Sequence, residues 1–143
     1  MNYFDTSALI KRFIEEPGSN RVDRVLARDP ILATSKVAYA EVHAGLARKL
    51  REKALTTAAY RKTSRAFDGD WRAYVRVDLV DALLLSVRDL VRRHPLRGFD
   101  AIHLASALRL QEQLGEEVRI IACDDRLLTA AREEGLQTLD VRH

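Results

Sequence analysis

Cysteine is nearly missing: Cys123 is the only one among 143 residues, so no intrachain disulfide can form and cysteine usage gives no reason to expect secretion. Long apolar runs are missing too, and no stretch approaches membrane-spanning length. With three prolines and six glycines, the chain has no linker, internal repeat or low-complexity segment. Its opening Met1-Asn2-Tyr3-Phe4-Asp5 lacks the charged and apolar regions of a signal peptide. These absences predict a cytoplasmic protein with no membrane association. What is present is 47% hydrophobic and 31% charged, which excludes a disordered or collagen-like chain. The length suits one domain over residues 1–143. A formal net charge of +3 is compatible with a polyanionic partner but too small to establish one.

The hydrophobic pattern alternates between two periods. Residues 1–5 read as a short strand ending in an acid, and Ser7 to Glu16 as a helix with Leu9, Ile10, Phe13 and Ile14 on one face, stopped by Pro17-Gly18. A helix over about 19–28, a strand at 31–34 and a long helix from about Val37 to Lys53 follow, the last with an N-cap at Thr34 or Ser35. Thr56 to Tyr74 reads as a polar, basic helix interrupted near Asp68-Gly69-Asp70. Val75 to Leu79 alternates as a strand. Asp81 to Arg93 and Phe99 to Leu114 are helical, with Gly115 as a stop. Val118 to Ala122 is an apolar strand, Asp125 to Glu134 a helix, and Leu136 to Val141 a last strand. Strands alternating with helices imply an α/β domain of three layers, with a mostly parallel central sheet covered on both faces.

On that map Asp5 and Asp124 lie just beyond the carboxyl ends of two strands and Asp100 in the first turn of a helix. That edge is where open α/β sheets bind ligands. Glu41 sits in a helix whose small apolar stripe, Val37, Ala40, Ala44 and Ala47, predicts that it points inward. Singly, each Asp could be a helix cap. Together, with no Lys or Arg at the strand ends, the four acids would repel one another by about 4 kcal/mol per pair at close range, and a divalent cation would relieve this. Oxygen donors select Mg²⁺ or Mn²⁺, and such an ion activates water for attack on a phosphodiester.

His103, one turn after Asp100, is a candidate ligand for a softer metal or a hydrogen-bonding neighbour of the acids. His43, His94 and His143 read as structural or solvent-facing, and Cys123 as a small buried hydrophobe. The stretch from Tyr60 to Tyr74 interleaves Arg61, Lys62, Arg65, Phe67, Trp71 and Arg72. It suits either base stacking or, more readily, an interface with a second copy or a partner. A phosphatase forming an aspartyl-phosphate needs a second Asp two residues after Asp5, where Ser7 stands. A domain that binds RNA or a partner without cutting is the other alternative, and the presence of all four acids speaks against it.

Phe4-Asp5-Thr6-Ser7-Ala8-Leu9, Glu41, the run Arg97 to Leu108 (RGFDAIHLASAL) and the run Cys123 to Ala131 (CDDRLLTAA) together resemble a PIN-domain ribonuclease of the VapC toxin type. The resemblance spans essentially the whole chain, and Asp100-Ala101-Ile102-His103-Leu104-Ala105 is its most specific part. It implies a five-stranded parallel sheet and a Mg²⁺- or Mn²⁺-dependent endoribonuclease. It makes Asp5 and Asp100 the principal metal ligands, with Glu41 and Asp124 completing the pocket or acting through water. It also implies an RNA substrate, a homodimer, and a small co-encoded VapB-like antitoxin that inserts a basic residue. Ala122 stands where the family often has Thr or Ser, which leaves Ser7 in the supporting role. Asp125 is an alternative fourth acid, and the phasing of Arg126-Leu127 favours Asp124.

Overall fold

The computed structural model describes residues 1–143. Five short strands, β1 (Asn2–Phe4), β2 (Leu32–Ser35), β3 (Val75–Val77), β4 (Arg119–Ala122) and β5 (Gln137–Asp140), form one sheet in the order β3-β2-β1-β4-β5, with every pairing parallel. Alternate residues of β1 serve opposite faces, as the twofold side-chain period of a strand requires. Tyr3 packs with α5 (Asp81–Arg93), α6 (Gly98–Leu114) and α7 (Asp125–Glu133). Phe4 packs with α1 (Thr6–Leu9), α2 (Ser19–Arg28), α3 (Val37–Arg51) and α4 (Thr57–Trp71). Two apolar clusters, one on each face, make the three-layer α/β architecture expected from the alternating pattern. No helix is long and apolar enough to cross a membrane.

The sheet order fixes where a site can form. From β1 the chain builds outward through β2 and β3, then returns to the other side of β1 for β4 and β5. The strand order therefore reverses between β1 and β4, and at their carboxyl ends the loops leave in opposite directions and open a crevice. Asp5 follows β1 directly, and its N–H still pairs with the Ile121 carbonyl of β4 at 3.1 Å.

Three local expectations are corrected. The helix read over Ser7 to Glu16 ends early: after Leu9 the chain tightens into a 3₁₀ turn over Ile10–Arg12. Phe13 then packs edge-on against Phe67, and Lys11 ties the following turn together through Glu16 and the Pro17 carbonyl. Gly18 closes that turn at φ +94°, where an added Cβ would lie 1.8 Å from the Val141 carbonyl oxygen; only glycine fits there. In α4 the expected break at Asp68-Gly69-Asp70 is absent. Burial of Phe67, together with the hydrogen bond between Asp68 and His43 and the ion pair Asp70–Arg12, outweighs the roughly 1 kcal/mol helix cost of Gly69. In α3 the buried stripe is Ala38, Val42 and Leu46, whereas Ala40 and Ala44 are exposed. Glu41 lies on the flank of the buried face, half-exposed, because the bulkier side chains take the core.

The aromatics of α4 are also accounted for. Phe67 contacts Phe13, Tyr39, His43 and Trp71, and Trp71 contacts Tyr74. Within the chain this cluster packs on itself and on the second apolar cluster; Phe67 is fully buried in it, and Trp71 is partly exposed.

Candidate active site at the carboxyl edge of the sheet

Asp5 is the most constrained of the acids. It caps α1, accepting the Ala8 N–H at 2.9 Å, and the Ser7 hydroxyl lies 2.8 Å from both of its carboxylate oxygens. Ser7 in turn accepts the Cys123 N–H at 3.3 Å, linking the ends of β1 and β4. Asp5 is only 5% exposed, and burial pushes its carboxyl above the usual range. The Asp100 charge adds to that rise, while His103, the Ala8 N–H and Ser7 oppose it.

Asp100 projects from the first turn of α6. Burial raises its carboxyl as well, reinforced by the charges of Asp124 and Glu41 and opposed by His103 and Arg97. Asp124 caps α7 through the Leu127 N–H at 2.9 Å. Its neighbour Asp125 is instead paired with Arg142 at 2.7 Å. Of the two adjacent acids, Asp124 is therefore the one that acts on Asp100, and Asp125 is engaged elsewhere.

Glu41 is held differently. Its Oε1 accepts the Thr6 hydroxyl at 2.7 Å and lies 2.8 Å from Nε2 of His103. Burial opposes ionisation of Glu41, but these hydrogen bonds outweigh it and hold the carboxyl below its ordinary value. The other ring nitrogen of His103, Nδ1, lies 2.8 Å from the fully buried Tyr3 hydroxyl. His103, 2% exposed, is thus a hydrogen-bonding neighbour of Glu41 and not a surface ligand. Sequence reasoning weighed His103 but missed Thr6 and Tyr3. The signal for Thr6 was its adjacency to Asp5; the signal for Tyr3 was its strand phase, which places it under α6.

The four acids do not line one cavity. Asp5, Glu41 and Asp100, with Thr6, Ser7 and His103, line a cleft of about 680 Å³. Asp124 and Asp125 line a neighbouring cleft of about 540 Å³, and Asp100 and Arg97 belong to both. No three of the acidic, histidine or cysteine side chains converge closely enough to ligate one ion together. A shell of four direct carboxylates therefore does not fit. Mg²⁺ commonly takes one or two carboxylates and keeps several waters, and the oxygen donors of Asp5 and Asp100, both raised by burial, with the Asp100 charge adding to the rise at Asp5, fit that pattern. Neither forms an ion pair with a basic side chain, unlike the surface acids Asp70, Glu134 and Asp140.

Comparison with known proteins agrees with this geometry. The PIN domain family description matches residues 3–133. The chain is 35% identical over 134 residues to the ribonuclease VapC45 of Mycobacterium tuberculosis, covering 93% of this chain and 90% of the relative. It is 34% identical over 139 residues to ribonuclease VapC46 of the same species, covering 96% and 95%. Among solved structures, FitAcB from Neisseria gonorrhoeae superposes over 100% of this chain and 99% of its own with a TM-score of 0.67 at 16% identity. VapBC2 from Rickettsia felis, bound to a promoter DNA fragment, covers 98% of each chain with a TM-score of 0.67 at 13% identity; at these identities the likeness concerns the fold. Matched along nearly its whole length in sequence and in fold, the chain belongs to the PIN-domain family and is of the VapC type.

Proposed function

We propose that this protein is a Mg²⁺- or Mn²⁺-dependent endoribonuclease, the toxin of a toxin–antitoxin pair, cutting RNA at the crevice between the carboxyl ends of β1 and β4. The observation that carries this reading is the pair Asp5 and Asp100: two carboxylates lining one cleft at the strand-order reversal, each raised by burial and by neighbouring acids, Asp100 acting on Asp5 and Asp124 and Glu41 on Asp100, and neither in an ion pair with a basic side chain. Leaving such a pair uncompensated costs stability, and a site that tolerates the cost is a site for a cation.

Asp5 and Asp100 would hold the ion, with Asp124 acting on Asp100 from the adjoining cleft. When bound, a hydrated Mg²⁺ or Mn²⁺ supplies an activated water and offsets charge building on the phosphate. Ser7 and the Ala8 N–H keep the Asp5 carboxylate from rotating. Glu41, kept ionised by Thr6 and His103, can accept the proton of the attacking water. The Ser7 and Thr6 hydroxyls are engaged by Asp5 and Glu41, and Cys123, whose thiol burial pushes up, is a poor nucleophile. Hydrolysis then leaves a 5′-phosphate and a 3′-hydroxyl.

The named relatives are ribonucleases, and the structural neighbours include toxin–antitoxin complexes. By that likeness the partner is a small co-encoded antitoxin whose basic residue would enter the acidic crevice and pair with its carboxylates. A homodimer and a cytoplasmic location belong to the same reading. The test is to incubate the purified protein with a mixed RNA pool in Mg²⁺ or Mn²⁺, and separately in EDTA, and to sequence the fragment ends. Cutting confined to the metal arms, lost in Asp5→Asn and leaving 5′-phosphates, supports the proposal. Cyclic-phosphate ends, or cutting that persists in EDTA, would sink it.

A further inference from the structure

The two adjoining clefts carry cations as well as acids. Arg48 and Arg51, on the last turns of α3, line the larger cleft; Arg126, in the first turn of α7, lines the smaller one; Arg97, the residue before α6, lines both. All four are exposed. None of them makes an ion pair or a side-chain hydrogen bond within the chain, whereas Arg12, Arg93 and Arg142 are each bonded to a carboxylate. These four arginines thus share the two cavities with carboxylates without pairing with them, while the pair Asp125–Arg142 also lines the smaller one. Such a separation costs Coulombic energy that direct pairing would recover, and it suits a ligand that presents anionic oxygens to the rim.

The layout is also directional. The larger cleft has its arginines on the α3 side, the smaller has its own on the α7 side, and Asp100 and Arg97 stand where the two meet. A compact anion would need its cations converging on one point. Cations spread over two cavities on either side of a central carboxylate match a chain of phosphates at intervals, and guanidinium groups suit phosphate oxygens through paired N–H donors. Each cavity lies within the range of about 300 to 1,000 Å³ that holds a small organic ligand, enough for nucleotides on both sides of the junction.

Resting on the nuclease reading above, we infer that Arg48, Arg51, Arg97 and Arg126 form a two-armed phosphate track. It carries single-stranded RNA across the acidic crevice, one arm gripping the backbone on each side of the bond to be cut, with Arg97 at the crossing. The acidic floor repels a polyanion, and the rim supplies the opposing attraction before any metal bridges the two.

The track can be tested without cutting. A fluorescein-labelled uridine 12-mer is titrated with the protein in EDTA, and binding is followed by fluorescence anisotropy across a range of salt. For single strands the slope of log K against log salt changes by about 0.7 per phosphate contact. The pair Arg48→Gln with Arg51→Gln should therefore flatten the slope by about 1.4, and Arg97→Gln with Arg126→Gln by about the same. Arg28→Gln with Arg92→Gln removes the same charge away from the clefts and should change it by less than half as much. Since the four rim arginines have no partners in the fold, both rim pairs should melt with the wild type. Equal slopes for rim and control pairs would overturn the track, as would an effect from only one arm. The nuclease reading fails separately: if Asp5→Asn cuts as wild type does, the salt slopes still decide the track, and if the slopes match the control, metal-dependent cutting can still stand.

Discussion

The Tyr3 hydroxyl and Nδ1 of His103 lie 2.8 Å apart although the two residues are 100 positions apart in the chain, and this buried contact orients the ring that meets Glu41. Burial holds the Tyr3 phenol well above its ordinary pKa, so it is a neutral hydroxyl and can donate to Nδ1. The ring then carries its proton on Nε2 and presents it to the Glu41 carboxylate. Tyr3→Phe removes the donor and leaves Nδ1 unsatisfied, at a cost of about 1–3 kcal/mol in stability. The expected signature is a fall in kcat for RNA cleavage with KM nearly unchanged, and ¹⁵N spectra showing His103 as a tautomer mixture. His103→Gln keeps an N–H donor for Glu41 and should retain more activity than His103→Leu. Equal activity in the Gln and Leu variants would reduce this contact to packing alone.

How much of this was legible beforehand follows from which interactions are local. The strand phases, the stop at Gly115 and the edge positions of Asp5, Asp100 and Asp124 depend on neighbours in sequence, and all are found where the pattern puts them. Glu41 was assigned to the right element for the wrong reason: its helix buries Ala38, Val42 and Leu46, and the residue reaches the cleft from the flank. The continuity of α4 through Gly69 was not legible, because it depends on partners 58 and 25 residues away, Arg12 and His43. The division of the acids between two clefts was equally hidden, since the width of the crevice is set by how α6 and α7 pack, a tertiary property that strand and helix periods do not encode.

A second prediction concerns acid stability and lies away from the crevice. Glu134 accepts Arg93 Nη2 and His94 Nε2, each at 2.7 Å, joining the end of α5 to the end of α7. Burial opposes its ionisation, but the hydrogen bonds from His94 and Arg93 win and hold it below its usual value. A carboxyl depressed in the native state contributes stability above its unfolded pKa, near 4.3. That contribution is lost as pH falls through the lower native value. Glu134→Gln should thus unfold more easily than wild type at pH 7, by about 1 kcal/mol because Arg93 is half-exposed and solvent screens the pair. The difference should close as the pH drops below about 4. Urea midpoints measured from pH 7 down to pH 3 would check this, and a gap of constant size across that range would contradict it.

The last prediction turns the cost of the acidic pair into a readout of the proposed metal site. Burial raises the carboxyl groups of Asp5 and Asp100, and like charge adds to it, from Asp100 at Asp5 and from Asp124 and Glu41 at Asp100. A native pKa above the unfolded one means that the metal-free fold is favoured at low pH and loses that advantage as pH rises through the native value, so the cost is present at neutral pH. Asp100→Asn removes one member of the pair and one charge acting on Asp5. In EDTA at pH 7 it should therefore melt no lower than wild type. A bound cation acts in the opposite direction, repaying the repulsion only where both carboxylates remain. With Mn²⁺ at about a hundred times its dissociation constant, wild type should gain about 2.7 kcal/mol, read as a rise in melting temperature, and Asp100→Asn should lose most of that gain. The same comparison for Asp125→Asn gives a contrast, since Asp125 is already paired with Arg142 and its loss should leave the Mn²⁺ response nearly intact. Equal Mn²⁺ gains in Asp100→Asn and wild type would place the ion elsewhere on the protein. A loss in Asp125→Asn as large as that in Asp100→Asn would instead move the metal into the smaller cleft, beside α7.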